Sequence, residues 1–152
     1  MRRRNSLRLP EYDYHSAGAY FVTVCSRNRA CLFGEIVEGR MRLNRTGQIV
    51  ETCWRRIPSH LPSVTLDAFI VMPNHVHGIV LLNDRATQVS PVRLVVGAFK
   101  ACASRNAGVP PWQRGYFDRI IRDEPELALA RRYVADNPLK WAIDLKRQPR
   151  LL

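Results

Sequence analysis

Two apolar runs separated by only two residues leave this chain little freedom. Residues 66–72 and 75–82 are rich in β-branched and aliphatic side chains, with Pro73-Asn74 between them. Such runs read as strands, and a Pro-Asn pair favours a turn. A connection that short joins antiparallel neighbours, because parallel strands need a crossover of a dozen residues or more. The protein is therefore expected to be built around an antiparallel sheet.

The remaining elements follow from periodicity and punctuation. Residues 19–25, Ala-Tyr-Phe-Val-Thr-Val-Cys, read as a strand. Residues 33–37 and 40–43 flank Glu38-Gly39 and predict a small hairpin. Thr46 has the chemistry of an N-cap, and Ile49, Val50, Cys53, Trp54 and Ile57 recur at helical spacing until Pro58, which is expected to stop the helix. Ser90-Pro91 predicts a cap followed by proline at the first helical position. Val92, Val95, Val96, Phe99 and Cys102 then form one stripe as far as Asn106. Residues 116–122 read as another strand. Asp123-Glu124-Pro125-Glu126 opens a last helix with carboxylates at its positive end, and Pro138 is expected to close it just after Asn137.

Without the hairpin the order is strand, helix, strand, strand, helix, strand, helix. This is the split βαβ, ferredoxin-like arrangement of the α+β class with one helix added. It predicts a four-stranded antiparallel sheet with helices on one face and the other face at least partly open. Residues 1–17 are polar and basic and read as an N-terminal arm, leaving residues 18–152 as a single domain.

Charge narrows the partner. The 152 residues carry 24 Lys+Arg against 13 Asp+Glu, a formal net charge of +11, and the excess is spread along the chain. Such a basic domain is expected to meet a polyanion, most often nucleic acid. Arg2, Arg3, Arg4 and Arg8 are candidate phosphate contacts in the arm. No apolar run approaches the roughly 20 residues of a membrane span, and no apolar stretch follows the first arginines. A cytoplasmic protein with no membrane partner is expected. The four cysteines form no CxxC pair and are expected to be reduced thiols, with Cys25 and Cys102 as core filler.

The residues with chemistry are few. His75 and His77 are two apart in a strand, so both imidazoles lie on one face, as a divalent cation needs. Two satisfied, partly buried histidines would read the same way. On the last helix Tyr133 and Asn137 are four apart and share a face, with Arg131, Arg132 and Lys140 nearby as further candidate DNA contacts. A phosphodiester is a poor, negatively charged electrophile. A cation between His75 and His77 would polarise it, and a tyrosine hydroxyl would attack to give a covalent phosphotyrosine. No P-loop or GxGxxG supplies a nucleotide site, and the phosphotyrosine conserves bond energy for rejoining. Tyr116 is the rival nucleophile, but no ligand-type residue stands at helical spacing from it. Trp112, Tyr116 and Phe117 are candidates for stacking on bases.

With these residues in view, the chain resembles the REP-associated tyrosine transposases, relatives of the single-tyrosine insertion-sequence transposases within the HUH single-strand nucleases. The resemblance covers nearly the whole chain. It runs through Tyr12-Asp13-Tyr14, Gly18–Cys25, Cys31-Leu32-Phe33-Gly34-Glu35, Val71-Met72-Pro73-Asn74-His75-Val76-His77-Gly78, Gly115-Tyr116-Phe117-Asp118 and Arg132-Tyr133-Val134-Ala135-Asp136-Asn137-Pro138. It implies that His75 and His77 are metal ligands, Tyr133 is the nucleophile, and Asn137, or failing it Asp136, is the third ligand. It implies Mg²⁺ or Mn²⁺, and cleavage of single-stranded or hairpin DNA in repeated palindromes, leaving a 5′-phosphotyrosine and a free 3′-OH. It further implies a bacterial, nucleoid-associated enzyme, for which a monomer is preferred to a homodimer. The alternatives are a non-catalytic single-stranded nucleic-acid-binding module, and a replication initiator or relaxase with the same chemistry.

Overall fold

The computed structural model describes residues 18–82 and 91–147. The N-terminal arm with Arg2, Arg3, Arg4 and Arg8, the Tyr12-Asp13-Tyr14 segment and the Ser90 cap lie outside the described residues. The elements in order are β1 (Gly18–Cys25), β2 (Gly34–Val37), β3 (Arg40–Leu43), α1 (Arg45–Arg55), α2 (Ile57–His60), β4 (Val64–Met72), β5 (His75–Leu82), α3 (Pro91–Ala107), β6 (Phe117–Ile121) and α4 (Glu124–Arg147). A four-stranded antiparallel sheet has the order β4-β5-β1-β6, and β2 and β3 form a separate hairpin. This is the expected α+β, ferredoxin-like architecture. Glu38 and Gly39 both have positive φ, 52° and 76°, as a tight two-residue hairpin turn requires.

Alternation along the strands sorts side chains into two cores. Val22 and Val24 of β1, with Val76 and Val80 of β5, face α1, α2 and α3 in the larger cluster, where Trp54, Ile57 and Phe99 are fully buried. Phe21 and Ile79 point the other way and join Ile121, Ala130 and Val134 in a smaller cluster. Thus α4 covers much of the face that was expected to stay open. Gly78 is essential to the larger core: a Cβ there would overlap the Trp54 indole, which is fully buried and cannot swing away. Cys25 and Cys102 are buried, as expected, and so is Cys53, whose thiol is pushed up to about 12 by burial and the neighbouring Cys102.

Three helix boundaries differ from the sequence expectation. The cap of α1 is Asn44, not Thr46: its extended backbone and its side chain, which accepts from Gly47 N at 2.8 Å, mark the boundary. Pro58 does not end a helix. It sits in the first turn of α2, where a missing N–H leaves no intrahelical bond unmade. Pro138 does not close α4, which runs on to Arg147 with the proline inside it. Packing outweighs the local penalty here: Asn137 and Pro138 are both buried, and Trp141, one turn further on, lies against His75.

The edge strand β4 has a bulge between Leu66 and Phe69. Asp67 lies in it, and Arg131 of α4 donates two bonds of 2.8 Å to its carboxylate. The guanidinium holds the Asp67 carboxyl below its usual value. This bidentate pair fastens α4 across the sheet edge. Among the described residues no helix is long and apolar enough to cross a membrane.

Candidate active site at the junction of β5 and α4

The site lies on the face of the sheet that α4 crosses. His75 and His77 begin β5 directly after the Pro73-Asn74 turn, and their ring centroids are 4.4 Å apart. Strand alternation puts both on the α4 side, while Val76 between them and Gly78 beyond face the larger core. The Tyr133 ring is 5.3 Å from His77, at a steep interplanar angle of 62°. Phe21, from the neighbouring strand β1, fills the corner, 5.2 Å from His77 and 5.9 Å from Tyr133. Trp141 closes the other end, 6.2 Å from His75. Tyr133, Asn137 and Trp141 are spaced four apart, so α4 presents one stripe to the histidine pair.

Hydrogen bonds orient both imidazoles. His75 Nδ1 lies 2.7 Å from Asn74 Oδ1, an acceptor, so Nδ1 carries the proton and Nε2 keeps its lone pair. His77 Nδ1 shares a 2.9 Å hydrogen bond with Thr23 Oγ1, the residue directly opposite it on β1. A hydroxyl can accept there, which frees His77 Nε2 in the same way. Burial pushes the His75 imidazole down to about 4, aided by the Arg29 charge, and His77 down to about 3, aided by His75. Both rings are therefore neutral near pH 7, the form that binds a cation.

The other predicted residues fall as follows. Tyr133 is 44% exposed, and Lys140 Nζ is 5.9 Å from its ring. Asn137 is buried and its Nδ2 donates to the Tyr133 carbonyl at 3.0 Å, which leaves Oδ1 as the atom able to face a cation. Asp136 and Arg132 are exposed, whereas Arg131 is engaged with Asp67. Trp112 packs between Phe33 and Phe99, and Tyr116 lies against the same core, away from the histidines. Phe117 is 48% exposed on β6. No group of three or more His, Cys, Asp and Glu able to hold a metal occurs among the described residues. A cation at the histidine pair therefore needs an amide oxygen or the substrate to complete its shell.

Sequence reasoning missed Phe21, Thr23, Asn74, Arg29, Arg119 and Trp141. Trp141 had a signal, the continued spacing of four beyond Tyr133 and Asn137, but it was masked by reading Pro138 as a stop. Thr23 and Phe21 are set by the β1–β5 register, which no local pattern carries. Arg119 lies with its guanidinium carbon 5.1 Å over the Phe21 ring. A cleft of about 380 Å³ beside Tyr133 is lined by Arg119, Glu126, Leu129, Ala130 and Tyr133.

Comparison with known proteins bears on the fold and the family. No family model matches the chain. An uncharacterised protein of Haemophilus influenzae is 38% identical over an alignment of 164 residues, which covers 93% of this chain and 91% of that protein. Among solved structures, a REP-associated tyrosine transposase bound to a REP hairpin superposes with a TM-score of 0.66 at 23% identity, covering 88% of this chain and 74% of that one. A Deinococcus radiodurans protein provisionally named a transposase gives a TM-score of 0.52 at 18% identity, covering 85% of this chain and 95% of that one. The chain belongs to one family with the Haemophilus influenzae protein, and it has a fold similar to that of the REP-associated tyrosine transposase.

Proposed function

We propose that the protein is a metal-dependent tyrosine transesterase that cleaves and rejoins single-stranded or hairpin DNA of repeated palindromes. The observation that carries this reading is the approach of Tyr133, on α4, to two oriented, neutral imidazoles on β5. The solved neighbour bound to a REP hairpin supports the substrate class. The net charge of +11 supports a polyanion.

His75 and His77, each through Nε2, and Asn137, through Oδ1, would hold Mg²⁺ or Mn²⁺. A bound divalent ion supplies charge stabilisation at the scissile phosphate oxygens. Tyr133 Oη forms the new bond to phosphorus, the bond from phosphorus to the 3′ oxygen breaks, and a proton passes to the released 3′-hydroxyl as the phenol loses its own. Attack by another 3′-hydroxyl on the phosphotyrosine reverses the balance and rejoins the strand. Phe21 and Trp141 pack the ends of the site, while Asn74 and Thr23 fix the imidazole tautomers. Arg132 and Lys140 supply positive charge near Tyr133, and Arg2, Arg3, Arg4 and Arg8 are further candidate phosphate contacts by sequence. On this reading residues 18–152 form the catalytic domain of a monomeric, nucleoid-associated cytoplasmic enzyme.

The test is incubation with end-labelled hairpin DNA and Mn²⁺ followed by denaturing electrophoresis. The wild-type protein is expected to form a covalent adduct and Tyr133→Phe none, and EDTA is expected to abolish cleavage. An adduct in the variant, or cleavage in EDTA, refutes the reading.

A further inference from the structure

The cleft beside Tyr133 has a composition of its own. On β6 alternation puts Phe117 and Arg119 on one face, the α4 side, since Ile121 two residues on packs against Ala130 and Val134. One wall is α4, with Leu129 64% exposed and Tyr133 44% exposed. The carboxylate in the cleft, Glu126, is already bound by Arg122 through Nη2 at 2.6 Å, Nε at 3.0 Å and the backbone N at 2.8 Å. Arg119 has no carboxylate within ion-pair distance among the described residues, and its guanidinium is steadied on the Phe21 ring. Phe21 in turn touches both His77 and Tyr133. The cleft therefore combines the Arg119 guanidinium, whose charge also adds a minor part to holding Glu126 below its usual value, with apolar Leu129 and Ala130 and the exposed Tyr133 ring. Its volume of about 380 Å³ suits a small ligand, and Phe117 stands beside it, two residues from Arg119 on the same face of β6.

We infer that this cleft binds the nucleotide flanking the scissile phosphate, with Arg119 holding that nucleotide's phosphate and Phe117 stacking on its base. A bare phosphate would gain nothing from Leu129 and Phe117, and an apolar ligand would leave Arg119 unmatched. A nucleotide uses both, because every base has a π-face and every linkage a negative charge. The inference rests on Tyr133 being the nucleophile. Arg119 acts through position: it stands behind Phe21 and aligns the strand so that the phosphate meets the Tyr133 hydroxyl.

The experiment measures KM and kcat for adduct formation by the full chain on two hairpins, one flush-ended and one with single-stranded nucleotides flanking the cleavage point. Arg119→Gln and Phe117→Leu are each expected to raise KM on the flanked hairpin about tenfold, as loss of one phosphate or stacking contact predicts. The effect on kcat is expected to be smaller, and Arg119→Lys is expected to recover part of the loss. Arg93→Gln removes the same charge from α3, on the opposite side of the sheet, and is expected to act equally on both substrates. Arg119 and Phe117 are both exposed, so thermal melts are expected to match wild type. Flanked-hairpin KM unchanged in both variants, or raised equally on both substrates, overturns the inference and leaves Tyr133 standing. An adduct formed by Tyr133→Phe overturns the underlying reading instead. Competition by free deoxynucleoside monophosphate at millimolar concentration, lost in Arg119→Gln, would show that the cleft takes the nucleotide independently of the strand. Competition that persists undiminished in Arg119→Gln would place the free nucleotide elsewhere and count against the inference.

Discussion

His75 and His77 sit where their protons are least welcome. Their folded values of about 4 and about 3 lie below the ordinary 6.5, so between those limits the unfolded chain binds more protons than the folded one. Stability should therefore rise with pH from about 3 to about 6.5, most steeply above about 4 where both imidazoles contribute, and level off above. Urea melts in EDTA across this range check it, and His77→Gln is expected to flatten the slope by roughly half. The common face of the two histidines was legible from a spacing of two in a strand. Their tautomers were not, because Thr23 is 54 residues from His77 and meets it only through the β1–β5 register. Arg119 was hidden for a similar reason: its importance comes from which edge of the sheet β6 occupies.

At the level of elements, the strand and helix order and the β2–β3 hairpin could all be read from periodicity and turn chemistry. The errors came where tertiary packing overrode a local stop signal. Pro138 leaves the Val134 carbonyl without its helical N–H partner, at a cost of up to about 3 kcal/mol, yet α4 continues. Pro138→Ala should supply that N–H and raise stability by up to about 3 kcal/mol, read from the denaturant midpoint. A fall in stability would mean that the proline ring is itself needed in the packing. The Asn44 cap was missed because Thr46 has equally good chemistry, and only the backbone turning point separates them.

For the whole molecule, charge was legible and its arrangement was not. On the proposed reading, a net charge of +11 should make DNA affinity fall about 100-fold between roughly 50 and 200 mM salt, if about five phosphates of a single strand are neutralised. Fluorescence anisotropy over that range measures it, and a flat profile would mean that the positive surface is not the binding surface. The arginine count alone gives no path for a strand. The fold divides the labour between the two faces of one sheet: the larger core with Trp54 against Gly78 on one side, the histidines and α4 on the other.

That division has a consequence for how the protein comes into being. The four sheet strands are complete at Ile121, and both imidazoles are in place by then, but Tyr133 arrives only with the last element. On the proposed reading, the two candidate metal ligands of β5 are synthesised before the candidate nucleophile of α4. A chain cut short within the first turns of α4 would carry every strand and both histidines while lacking Tyr133, and it would also lose Val134 from the smaller core. On the proposed reading such a fragment is unable to form the covalent adduct, whatever DNA it still holds.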